Sequence, residues 1–191
     1  TLGKIDVIVI DHHVGEINTP DVHGLINPNQ LNEKIEQNYL AAVGVTFLFL
    51  IALRRELSNK NYYKLNNFKK HNLTLFLDLV ALGTVCDVVP LINLNRAFVK
   101  KGLEIISKRE NQGISSLLDI AKVRNRPNVF DLSYIIGPRL NAASRIGNSK
   151  LAPQILSCNN YIDIENISKK LNLINEKRKL IEDKILTEAR E

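Results

Sequence analysis

The alternation of apolar and polar positions divides the chain into one short strand, a long loop and a succession of helices. Residues 4–10, Lys-Ile-Asp-Val-Ile-Val-Ile, form a β-branched run that predicts a buried strand ending directly at Asp11, His12 and His13. Residues 14–30 are rich in Gly, Pro, Asn and Asp and read as a crossover loop, with His23 in it as a solvated or locally bonded residue. Over residues 38–57, Leu40, Val43, Phe47, Leu50, Ile51 and Leu57 recur at helical spacing, which predicts a helix with a broad apolar face. Arg54 and Arg55 fall in its last turn, where they suit the helix dipole. Residues 58–72 are polar and read as a surface connection.

Residues 73–89 are apolar enough to predict an element buried on most sides, broken at Gly83-Thr84. Asp87 follows between Cys86 and Val88, and a carboxylate in such company needs a partner to offset its desolvation. A helix cap, an arginine or a metal ion would each serve. Further helices are predicted over 95–108, with Ala97, Phe98, Leu103 and Ile106 inward, then over 113–121, from 129 to 136, and over 150–158. Gly137-Pro138 reads as a turn. Beyond it Arg139, Asn141, Ser144 and Arg145 surround the small Ala142 and Ala143, a set of donors suited to clamping a phosphodiester or to pairing with acids of the core. From 162 to the terminus, apolar residues at 164, 167, 171, 174, 181 and 185 predict one long helix of up to about 45 Å. It reads as a connector to a further domain, in preference to a helix folded back on the core or a dimerising coil.

Composition narrows the class without choosing it. At 191 residues and 45% hydrophobic the chain can bury a substantial core. Its longest apolar stretch, 41–53, is interrupted and too short to span a bilayer, so a cytoplasmic protein with no membrane contact is expected. Cys86 and Cys158 are far apart without a partner pattern, which argues against a disulfide framework and predicts two small buried residues. A net charge of +6 is compatible with a polyanionic partner. The absence of methionine, and a start at Thr1 only three residues ahead of a core strand, lead to the expectation of a fragment whose N-terminal part is missing. The strongest chemical signal is positional: polar residues just past the carboxyl end of a strand stand where open α/β sheets place their functional groups. An imidazole is a neutral ligand near pH 7, and an adjacent carboxylate binds the same ion or holds the other ring nitrogen.

Three stretches together resemble the DHH phosphoesterase superfamily: Asp11-His12-His13, residues 82–87 (Leu-Gly-Thr-Val-Cys-Asp) and residues 137–145 (Gly-Pro-Arg-Leu-Asn-Ala-Ala-Ser-Arg). The last is similar to the RecJ branch, with Ser144 where that branch usually has glycine. The resemblance implies an α/β fold, a partial DHH-type domain with a parallel sheet core flanked by helices, occupying residues 1–158 and followed by the connector helix at 159–191. It implies a metal-dependent 5′–3′ exonuclease that removes nucleotides from single-stranded DNA in repair and recombination, using two Mn2+ or Mg2+ ions. Carried over by position, His12 and Asp87 are metal ligands, and Asp11, His12, His13 and Asp87 form the catalytic set. Arg139, Asn141 and Arg145 match the substrate-contacting stretch. Single-stranded DNA is the implied substrate, and a single-strand-binding protein and a helicase are implied partners of the parent protein in the bacterial cytoplasm. The family's earlier carboxylate motifs precede Thr1, so the chain alone is expected to be inactive. Two alternatives share the motifs: a phosphoesterase for short oligonucleotides or pyrophosphate, and a non-catalytic remnant that binds nucleic acid weakly.

Overall fold

Ile8–Ile10 (β1) and Gly24–Ile26 (β2) pair in parallel, with Ile8 opposite Gly24 and Ile10 opposite Ile26. These come from a computed structural model that describes residues 5–31, 35–145 and 148–190. Lys4, the first residue of the predicted strand, and Ile146-Gly147 lie outside the described residues. The chain divides into two compact units, residues 1–102 and 103–191. It is helix-rich with a small parallel sheet, in keeping with the α/β expectation.

In the first unit the strand reading needs two corrections. β1 is shorter than expected and is not buried, Ile8 being 54% exposed. β2 lies within the stretch read as loop, because three residues between Gly, Pro and Asn carry too little alternation to register. The core sits instead among the helices. Helix α1 (Ala42–Asn59) follows the buried Leu40 and Ala41 and presents Val45 and Phe47 to it, while Ile51, expected inward, is exposed. Arg54 donates to the His71 carbonyl at 3.1 Å. The polar connection contains one short helix, α2 (Tyr62–Leu65).

A 3-10 turn at Leu73–Phe76 leads into α3 (Leu77–Cys86), which runs straight through Gly83-Thr84 where a break was expected. A Cβ at Gly83 would lie 2.8 Å from Val43 Cγ1, so this glycine lets α1 and α3 close together rather than ending the helix. Helix α4 (Asn93–Ile106) buries Phe98, Val99, Ile105 and Ile106, whereas Ala97, expected inward, is exposed. Asn95 is fully buried, and its Nδ2 donates to the carbonyls of Tyr39 at 2.8 Å and Pro90 at 2.9 Å, tying the α3–α4 connection to the chain ahead of α1.

Among its described residues the second unit is built on α5 (Gln112–Ile120), α6 (Gly137–Arg145), α7 (Leu151–Ser157) and α8 (Tyr161–Glu188). Gly137-Pro138, read as a turn, lies inside a helical run that starts at residue 129 and passes through a π-helical stretch, Asp131–Ile136, into α6. The wider π turn just before Pro138 is where a helix can absorb a residue with no N–H and a bulky ring. Ile114, Leu117, Leu118, Leu132, Ile155 and Leu171 are the buried centre. The first half of α8 packs there through Ile164, Ser168, Leu171 and Asn175, and Ser116 Oγ donates to Ser168 Oγ at 2.9 Å. Its second half, with Leu180, Ile181, Ile185 and Leu186, is exposed. The expected boundary at 158/159 falls between α7 and α8, both of which lie in the unit of residues 103–191.

Candidate functional site

The parallel ladder delivers the first three candidate residues. Asp11 N–H donates to the Ile26 carbonyl at 3.0 Å, one step beyond β1, and then the chain turns. The turn is held by the Asp11 carboxylate, whose Oδ1 accepts from the His12 N–H at 2.7 Å, the His13 N–H at 3.3 Å and His13 Nδ1 at 2.7 Å. The His13 ring bond, followed by the His12 backbone bond, holds the Asp11 carboxyl below the usual carboxylate range. This contribution is present above the ordinary carboxylate range and fades only as pH falls through the lowered value. An ionised carboxylate only accepts, so His13 Nδ1 carries the proton and the lone pair of the neutral ring lies on Nε2. Asp11 is a positioning residue by this geometry.

The turn just after β2, inside the stretch read as loop, supplies a second set of supports, which the sequence did not reveal. Asn27 Nδ2 donates to the His13 carbonyl at 2.8 Å and Asn29 Nδ2 to the His12 carbonyl at 2.6 Å, while Asn27 Oδ1 accepts from the Asn29 N–H at 2.8 Å. Asn-Pro-Asn reads as turn composition, and only the pairing of β2 with β1 shows that its amides grip the histidine turn. His23 is locally bonded, as expected: Nδ1 accepts from the Val7 N–H at 3.2 Å and Nε2 stands 2.8 Å from Asp6 Oδ1.

Asp87 arrives from the opposite direction, as the C-cap of α3 with its N–H on the Gly83 carbonyl at 3.0 Å. His12 Nε2 lies 3.1 Å from Asp87 Oδ2, with the imidazole side chain 15% and the carboxylate 38% exposed. The fold thus joins the two residues assigned as metal ligands. The His12 and His13 rings stand 4.5 Å apart at 46°. Cys86 is half-buried, and its thiol is pushed up to about 11 by burial and by the Asp87 charge, so it stays protonated at neutral pH beside the pair. Val88 follows with φ of 59°, a left-handed conformation that a β-branched side chain tolerates poorly. Replacement by asparagine, which accepts that conformation, is expected to stabilise the chain by about 1 kcal/mol, read as a higher urea midpoint. An unchanged or lower midpoint would contradict the strain.

The remaining candidates lie in the second unit. Arg139 is half-buried and engaged internally: Nη1 donates to the Ile135 carbonyl at 2.7 Å and Nε to Asn172 Oδ1 at 3.0 Å. Burial lowers its pKa, with the Glu176 charge opposing. Its evident work is to satisfy a carbonyl of the π-helical stretch and pin that stretch to α8. Asn141 and Arg145 stand exposed on α6, and Ser144 Oγ donates to the Asn141 carbonyl at 2.9 Å.

No protein-family model matches the chain. Its fold is that of solved RecJ structures. RecJ of Thermus thermophilus in complex with Mn2+ superposes with a TM-score of 0.79 at 28% identity, over 98% of this chain and 26% of that one. An exonuclease RecJ bound to manganese gives 0.77 at 28% identity, over 96% of this chain and 43% of the other. Among curated proteins, the single-stranded-DNA-specific exonuclease RecJ of Salmonella typhimurium is 39% identical over 99% of this chain and 33% of its own length. That of Escherichia coli is 37% identical over 97% and 32%. Over nearly its whole length the chain is similar to RecJ, and it spans about a third of the length of the curated relatives it matches.

The donor set fits part of a divalent-ion site. Cis ligands of an octahedral ion with bonds of about 2.1 Å lie about 3 Å apart, and the 3.1 Å between His12 Nε2 and Asp87 Oδ2 meets that spacing. Among the described residues, no three His, Cys, Asp or Glu side chains gather so as to hold an ion. Among the described residues His12 and Asp87 therefore stand as a pair, without a third such side chain beside them.

Proposed function

We propose that this chain is the segment of a RecJ-type, single-stranded-DNA-specific 5′–3′ exonuclease that contributes His12 and Asp87 as ligands to a Mn2+ or Mg2+ site. The observation that carries the reading is the approach of those two side chains, from a strand end and a helix end, to a distance suited to one ion. The names of the curated relatives and the Mn2+ and Mg2+ complexes of solved RecJ structures support it. His12 and Asp87 would hold such an ion, and a two-ion site would supply activation of a water and neutralisation of charge at phosphorus. The chain's own residues do the placing. Asp11 fixes His13 with its Nε2 lone pair outward, Asn27 and Asn29 anchor the histidine backbone, and Asn141 and Arg145 offer donors to phosphate oxygens. Arg139 is given a smaller part in substrate contact than its residue type implied, since it is bonded within its own unit.

The same reading takes the exposed second half of α8 as a connector to a further domain, and the parent protein as a bacterial cytoplasmic enzyme of repair and recombination that meets a single-strand-binding protein and a helicase. No described helix is long and apolar enough to cross a membrane.

With a single pair of candidate ligands among the described residues, the 191-residue chain is expected to release no nucleotides from a labelled single strand in Mn2+. A chimera in which it replaces the matching third of the Salmonella typhimurium exonuclease is expected to digest that strand, and His12→Ala or Asp87→Ala in the chimera to lower the rate by at least about 100-fold. Digestion by the chain alone that survives Asp87→Ala, or a folded chimera indifferent to both substitutions, would overturn the assignment.

A further inference from the structure

The helical run that carries Asn141 and Arg145 also displays two large aromatic side chains with no evident structural duty. Phe130 is 60% and Tyr134 68% exposed, and their rings lie 5.0 Å apart at 33°. One turn apart, they form a continuous exposed π surface. Their backbone is held firmly: Asn128 Oδ1 accepts from the Phe130 N–H at 2.8 Å, and buried Asp131 Oδ2 accepts from the Asn128 N–H at 2.9 Å. Leu132 and Ile136 fix the opposite face of the run in the core. An exposed aromatic pair on so rigid a support is a display, because burial of either ring inward would be the favourable alternative.

The charge around it points to the occupant. Between Lys122 and Lys150 the sequence holds six basic residues and one acid, and that acid is the buried Asp131. Arg124, Arg126 and Arg145 are exposed. An apolar face docking a protein helix would not need this one-sided basicity. Aromatic faces on a segment whose exposed charges, from Lys122 to Lys150, are all basic instead match single-stranded nucleic acid, whose bases stack while its phosphates follow the positive charge.

We propose that Phe130 and Tyr134 form a base-stacking platform for single-stranded DNA, with the run from residue 129 to Arg145 as its track. The proposal rests on the reading that a single strand is the substrate, and it adds that the chain holds bases as well as phosphates. Stacking requires no particular base, so the platform accommodates strands of any sequence.

Binding of the 191-residue chain to a fluorescein-labelled 15-nucleotide thymidine strand, measured by anisotropy at low salt with chelator present, tests this independently of ion binding and catalysis. Phe130→Ala/Tyr134→Ala is expected to weaken binding by roughly ten-fold or more, while leaving an abasic strand of equal length and the slope of affinity against salt unchanged. Tyr134→Phe, which keeps the ring, is expected to stay within about two-fold of the parent. Arg145→Ala is expected to weaken both strands alike and to flatten the salt slope. Equal loss on the abasic strand would overturn the platform, as would a double variant that binds the thymidine strand like the parent, the result expected of a protein-docking face. In either case an Arg145→Ala effect on both strands would leave the substrate reading intact. A parent chain that binds neither strand, with Arg145→Ala without effect, would remove the platform and the substrate reading together.

Discussion

Replacing Gly102 with alanine is expected to destabilise the chain by about 3 kcal/mol or more, a large part of the stability of an ordinary domain. A Cβ built at this position of α4 lies 2.1 Å from the Leu77 carbonyl oxygen and 2.3 Å from Ala81 Cβ. Both obstacles belong to α3, and the nearer is backbone, so no side chain can swing away to admit the methyl group. The sign is informative, because glycine to alanine inside a helix ordinarily stabilises by about 1 kcal/mol. Here the helices must part instead. Since Asp87 caps the end of α3, the shift is also expected to loosen the carboxylate from His12. Urea unfolding should show a lower midpoint with an unchanged slope. A variant as stable as the parent would mean that α3 and α4 do not approach as closely as described.

Asp87→Ala and His12→Ala are each expected to weaken Mn2+ binding to the chain by roughly ten-fold or more, and the double variant to be little worse than either single one. The non-additivity follows from one ion shared by two ligands: once either is gone, the other has little to hold. Asp87→Asn separates charge from shape, and is expected to lose the ion nearly as fully as alanine while leaving the urea midpoint within about 0.5 kcal/mol of the parent. Strictly additive losses in the double variant would indicate two unconnected weak sites.

What each residue touches decides how much of it was legible in the sequence. Asp11, His12, His13 and Asp87 could be read because they sit at the ends of apolar elements, where side-chain chemistry and position coincide. The helices of strong periodicity were found within a few residues of their ends. Glycine and proline misled. Gly83 is there for contact with Val43 and Gly137-Pro138 lies within a helix that widens ahead of it, yet both pairs looked like breaks, because sequence shows the residue type and not the neighbour. The three-residue β2 carries almost no pattern, and with it went the amides of Asn27 and Asn29. Arg139 illustrates a different limit. A guanidinium next to small residues suits a phosphate, but the same donors serve the Ile135 carbonyl of the π-helical stretch, and only the coordinates distinguish the two.

The most direct test of the His12–Asp87 pair is the effect of substoichiometric Mn2+ on the ring protons of the chain's four histidines. The paramagnetic ion is expected to broaden His12 and its neighbour His13 well before His23 and His71, and Asp87→Ala to abolish that order. If all four signals broaden together, or the order survives the loss of Asp87, then the helix-end carboxylate and the strand-end imidazole do not share an ion.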